Sequence, residues 1–128
     1  YMNGVMLFNP KTNKVERIKG SNGLNVNCFF EDGEDILIGA DEGIYKYNNG
    51  NFVCWQEIQN QLPDRMVHGI LRDKEGKLWI GTFGQGISIF NKNNKMSLNL
   101  VKSNGFPSNA VNHMILDSNK KVWVATRE

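Results

Sequence analysis

Histidine and cysteine are scarce in this chain. It has two histidines, His68 and His113, and two cysteines, Cys28 and Cys54. There is no Gly-x-Ser-x-Gly elbow, zinc-ligand spacing or phosphate loop, so the common hydrolase, metalloenzyme and nucleotide-binding chemistries find no support. The formal net charge is only +2 and the basic residues are scattered, which excludes the electrostatic footprint of a nucleic-acid binder. No apolar run approaches the ~18–20 residues that cross a bilayer, so this segment is expected to make no direct membrane contact. Apolar spacing at i, i+3, i+4 is nowhere sustained for three turns, which excludes long amphipathic helices. What remains is a 128-residue chain, 40% hydrophobic and 22% charged, that suits a soluble globular domain with a core of its own.

What the chain does have is a repeat. Asp73 to Phe90 reads as an acidic, glycine-containing turn, an apolar run with Trp79, a glycine-rich turn and a second alternating run from Ile87. Two short strands joined by polar turns are what such a stretch makes best. Leu78-Trp79-Ile80-Gly81-Thr82 returns as Val122-Trp123-Val124-Ala125-Thr126, 44 positions on, and appears as Ile36-Leu37-Ile38-Gly39-Ala40, 42 positions earlier. A period of about 40–45 residues with several short strands per period is the signature of a β-propeller blade. The fold expected is therefore all-β, a propeller fragment of about three four-stranded blades.

The copies divide the chain into the second half of a blade (1–20), whole blades at 21–60 and 61–104, and the first half of a blade (105–128). Within the whole blades, strands are expected near 26–31, 36–40, 44–48 and 52–55, and near 67–72, 78–82, 87–91 and 97–101. Since Tyr1 falls inside a repeat, the chain is expected to be a piece of a longer protein. The same alignment sets both Tyr1 and Arg127 level with Phe83.

Cys28 falls in an innermost strand and Cys54 in an outermost one. Strands three places apart are about 14 Å apart, beyond disulfide reach, so two separately buried thiols are expected. The acidic turn Asp73 to Gly76 has too few ordered oxygens for a calcium loop. It reads instead as a hairpin turn in which Asp caps backbone N–H groups and Gly takes positive φ. Trp79 and Trp123 are expected to be largely buried between blades, with the indole N–H on a backbone carbonyl. Leu37 at the same position predicts looser packing in its blade.

The string L-P-x-x-x-V-x-x-I-L-x-D-x-x-G-x-L-W-I-G-T-x-x-x-G-I, from Leu62 to Ile87, resembles the two-component regulator propeller repeat. The resemblance extends over essentially the whole chain as successive copies. The first whole blade departs from it in lacking Pro and Trp, and the last copy has Lys120-Lys121 in place of Gly plus a polar residue. It implies a periplasmic sensor region of a Bacteroides-type hybrid histidine kinase that detects breakdown products of polysaccharides. It implies no catalytic residue, cofactor or metal in this chain, and the kinase would be a separate module.

Loops entering the inner strands and loops after the second strands gather on one face of a propeller. Here these are 63–66 and 107–110, with Asp41-Glu42, 83–85 and Arg127-Glu128. Sugar recognition needs an aromatic face and planar polar groups, and Arg65, Phe83, Gln85, Asn109 and Arg127 supply that chemistry, giving an oligosaccharide as the expected ligand. Two other functions stay open, a propeller lyase or hydrolase and a protein-interaction propeller. For an enzyme, His68 and His113 are one position out of register, since His113 aligns with Gly69 and Cys28, so repeat symmetry does not bring them into one site. Exposed half-blades also predict a homodimer in which each chain completes the other's blades.

Overall fold

The computed structural model describes residues 4–127. Its strands are Met6–Asn9 (β1), Lys14–Arg17 (β2), Val26–Asp32 (β3), Asp35–Ala40 (β4), Gly43–Asn48 (β5), Asn51–Cys54 (β6), Val67–Arg72 (β7), Leu78–Thr82 (β8), Ile87–Phe90 (β9), Met96–Leu100 (β10), Val111–Leu116 (β11) and Val122–Thr126 (β12). Strands β3 to β6 and β7 to β10 form two four-stranded antiparallel sheets in chain order, while β1–β2 and β11–β12 are two-stranded. The fold is all-β, with the blade-like sheets that the repeat predicts. The longest helix among the described residues is the single turn Gln56–Gln59 (α1), of which the repeat alignment gives no sign.

Turn chemistry makes the hairpins. Asp73 Oδ1 accepts from the backbone N–H groups of Glu75 and Lys77, both at 2.9 Å, and Gly76 follows with φ of 83°. Asp117 repeats this with Asn119 and Lys121, at 2.8 and 3.0 Å, with Lys120 forced to φ of 65° in the glycine's place. Asn91 does the same for Asn93 and Lys95. The side chain thus supplies the acceptor that the reversed backbone cannot.

The sheets stack face to face. Leu37, Ile44, Trp55, Ile58, Val67, Leu78, Ile80 and Phe90 form one buried layer between the two four-stranded sheets, with Ile58 contributed by α1. Glycine sets the spacing here, because a Cβ on Gly39 would lie 2.5 Å from Cys28 Sγ and 2.6 Å from Val67 Cγ1. Gly81 repeats the contact one seam further on, 2.7 Å from Val111 Cγ1. At the far end of the first seam, Arg72 grips Asp32 through two bonds of 2.8 and 2.9 Å and also donates to the carbonyl of Gly76.

Several expectations need correction. Trp123 is 62% exposed, not buried. The tryptophan position faces the sheet that follows, and no further sheet covers β12 among the described residues. Trp79 is half-buried, since only the two strands β11 and β12 lie beyond it. Both indole N–H groups donate to the turn carboxylate, Trp79 to Asp73 Oδ2 at 2.9 Å and Trp123 to Asp117 Oδ2 at 2.7 Å, and not to a carbonyl. Leu37 is fully buried, so the smaller residue leaves no opening, with Trp55 and Ile58 filling the same layer. Cys28 and Cys54 are both free and lie on opposite edge strands, but Cys54 is exposed on β6. Cys28 is buried, and desolvation pushes its thiol up to about 12.

Two tests follow from this packing. Trp79→Ala is expected to cost about 3 kcal/mol, the low end for truncating a large packed aromatic. Trp123→Ala should cost under about 1 kcal/mol, as at other exposed positions. Urea unfolding of the pair measures both.

The second test concerns acid. Partial burial alone would raise the Asp73 carboxyl, but the Trp79 indole and the N–H groups of Lys77 and Glu75 outweigh it and hold it below the usual value. Asp117 is lowered first by its Trp123 bond and then by Lys121. Stability from a lowered carboxylate is present above its unfolded value, about 3.9, and is lost as pH falls through the lower folded value. Asp73→Asn should therefore flatten the loss of stability below about pH 4, read from melting temperatures across that range.

Candidate functional site

One end of the sheets collects the loops that enter the inner strands and those that leave β4, β8 and β12. Each inner strand carries a register break at its first turn into the sheet, between Val26 and Cys28, Val67 and Gly69, and Val111 and His113. These are β-bulges, and they leave Asn27, His68 and Asn112 unpaired in their ladders. A second position is fixed by an equivalent backbone bond in each repeat. The N–H groups of Asp41, Phe83 and Arg127 donate to the carbonyls of Asn25, Met66 and Ala110, each at 3.0 Å. The bulge residues and this second set form a rim.

Asn27 ties two sheets together. Its Nδ2 donates to Asp41 Oδ1 at 2.9 Å and to the carbonyl of Val67, on the next sheet, at 3.1 Å. Asn25 Nδ2 donates to Asp41 Oδ2 at 2.6 Å. The Asn27 amide is the main cause holding the Asp41 carboxyl below its usual value. Desolvation opposes it, and Asn25 and His68 add to it. His68 Nε2 lies 3.8 Å from Asp41 Oδ1, buried and without a hydrogen-bond partner. The His68 ring sits 5.2 Å from Phe83, tilted by 31°, and the Arg127 guanidinium carbon lies 5.2 Å from the same phenyl centre. Asp41, His68, Phe83 and Arg127 therefore run as a continuous band across three repeats.

Of the residues chosen from sequence, the structure brings Phe83 and Arg127 together. Arg65 and Gln85 are exposed on flanking loops, and the Gln85 N–H donates to Thr82 Oγ1 at 3.0 Å. Asn109 is half-buried and is committed to the backbone of its own loop and of the neighbouring β8–β9 turn. Its Oδ1 accepts from the Lys102 N–H and its carbonyl from the Gly86 N–H, both at 2.8 Å. Tyr1 and Glu128, also aligned to this end, lie outside the described residues. His113 pairs with Ala125, level with Gly69 opposite Gly81 and Cys28 opposite Gly39, so the histidines are out of register as expected. The bulge set was missed by sequence reasoning, although a signal exists. A polar residue follows the same repeated valine in Val26-Asn27, Val67-His68 and Val111-Asn112.

Residues 61–84 and 105–128 each match the family model of the two-component regulator propeller. These segments, 48 of the 128 residues, are similar to that repeat. The propeller chain is similar to the extracellular domain assigned to a hybrid two-component system of B. thetaiotaomicron, at 29% identity and a TM-score of 0.87 over 100% of its length. A second extracellular domain of that organism, also assigned to a hybrid system, matches at 23% identity and 0.74 over 98%. A streptogramin B lyase matches at 16% identity and 0.69 over 98% of this chain and 42% of the lyase, a likeness of fold alone. The chain spans only 18% and 17% of the two extracellular domains. No curated protein matches it. Among the described residues, no helix is long and apolar enough to cross a membrane.

If the Asp41–Asn27 pair pins the seam at this end, Asp41→Ala should lower stability by about 1 kcal/mol, the net worth of its hydrogen bonds to the half-buried Asn27 and exposed Asn25 amides. Amide hydrogen exchange should quicken first around residues 25–27 and 67–69. Unchanged exchange there would show that the pair is incidental.

Proposed function

We propose that this propeller segment is a non-catalytic recognition module within the extracytoplasmic sensor region of a hybrid two-component signalling protein, and that its rim binds oligosaccharide. The observation that carries the reading is the convergence of the Phe83 ring with the planar polar groups of Arg127, His68 and Asp41 at one end of three repeats. Sugars present C–H faces that lie against aromatic rings and hydroxyls that need donors and acceptors beside them. The likeness to extracellular domains of hybrid two-component systems supports a periplasmic setting, outside the inner membrane. Phosphotransfer would belong to a histidine kinase module distinct from these sheets.

A second reading, a propeller lyase or hydrolase, draws on the His68–Asp41 approach of 3.8 Å. Against it, His113 lies on β11 opposite Ala125 and not beside His68 in the ladder pattern, so the rim offers one imidazole and no set of them.

Calorimetry with a panel of oligosaccharides distinguishes these readings. Weak binding that disappears in Phe83→Ala, with melting unchanged, is the expected result. Turnover of a glycan that is lost in His68→Ala would replace the sensor reading with the enzymatic one.

A further inference from the structure

Charge on the rim is unevenly committed. Both oxygens of Asp41 accept amide donors, from Asn27 and Asn25. Asp64 is used in the same way, with Oδ1 taking the Met66 N–H at 3.2 Å and Oδ2 the Gly84 N–H at 2.8 Å. Glu42 accepts from the Asn25 N–H at 3.2 Å. Each carboxylate that the described loops bring to this end is already engaged by the protein.

The cations are placed differently. Ion pairs among the described residues join Lys46 to Asp35 and Arg72 to Asp32, His68 approaches Asp41, and none of these contacts includes Arg127 or Arg65. Arg72 shows what an engaged guanidinium looks like in this fold, with two bonds to one carboxylate and a third to a carbonyl. Arg127 has the opposite environment. It is exposed, is held at its backbone by Ala110, and lies over Phe83. A guanidinium on a phenyl ring keeps its planar fork of donors at the edge, in a partly dehydrated setting, where a carboxylate can be met by two parallel bonds. At the bulge of the same repeat, Asn112 is exposed and offers an amide for a sugar hydroxyl.

We infer that the rim reads an acidic sugar. The carboxylate of a uronic-acid-containing oligosaccharide is clamped by Arg127 alongside Phe83, with the sugar's hydroxyls left to the rim amides. The inference rests on the oligosaccharide reading above and narrows it from saccharides in general to those carrying a carboxylate. Neutral sugars would leave the Arg127 fork facing water and would gain only the contact with the ring.

The test compares trigalacturonate with its fully methyl-esterified counterpart, which keeps the skeleton and removes the charge. At pH 7 and low salt, calorimetry should show the acid binding at least about tenfold tighter than the ester, the size of one charge-assisted contact. That preference should shrink as salt is raised to 0.5 M. Arg127→Gln should bring the two ligands within about twofold of each other with no change in melting temperature, and Arg127→Lys should keep only part of the preference. Equal binding of acid and ester would overturn this inference and leave the oligosaccharide reading intact. So would a preference for the acid that Arg127→Gln does not alter. If neither compound binds while a neutral oligosaccharide does, the inference again fails alone, and if no saccharide binds at all, both readings fail together.

Discussion

The seam between successive sheets is the constraint on which the rest of the molecule depends. A four-stranded sheet of short strands has two faces and cannot bury either by itself, so each sheet is stable only against a neighbour. Here Leu37, Ile44 and Phe30 approach from one sheet and Val67, Ile80 and Phe90 from the next, with Gly39 allowing the backbones to draw close. The apolar centre is closed by polar contacts at both ends, Asn27 to the Val67 carbonyl at the rim and Arg72 to Asp32 at the turns. Those contacts resist sliding of one sheet along the other, which apolar packing alone does little to prevent.

The rim inherits its geometry from the seam. The backbone bond that holds Asp41 also holds Phe83 and Arg127, so three chemically unlike side chains are presented from the same scaffold position. An acid, an aromatic and a base then come side by side because the sheets do. The loops that follow Asp41 and Phe83 turn back at Gly43 and Gly86, with φ of 143° and 68°, so the band is set by the shared backbone bond and these tight turns.

Most of the fold was legible in the sequence because the repeat states it three times. Strand positions agree with expectation to within about a residue at each end, since alternation and turn residues mark them in every copy. The cap role of Asp73 was equally plain, because Asp followed by Gly three residues on has few other uses in a hairpin. The burial of Trp123 was not legible, because it depends on what lies against β12 and not on the local pattern. Cys54 misled for a related reason: a thiol in an apolar run reads as buried, but β6 is an edge strand with one side open. Of the site, Phe83 and Arg127 could be read from their loop, whereas His68 and Asn27 could not be placed without recognising the bulge. A strand read as strictly alternating sends them to the wrong face.

The bulge has a consequence for how such a chain can change over generations. Val67 packs toward the preceding sheet and Gly69 toward the following one, although they are two residues apart, because the residue between them is out of the ladder. That residue owes nothing to strand pairing and little to the buried layer. Asn at one repeat and His at the next show that the position accepts different chemistry on an unchanged frame. Drift at positions 68 and 112 can therefore retune what the surface favours while the apolar layer stays fixed, and those two positions are where a designer could install new side chains with least risk to the fold, whereas Asn27 is bound into the seam through the Val67 carbonyl.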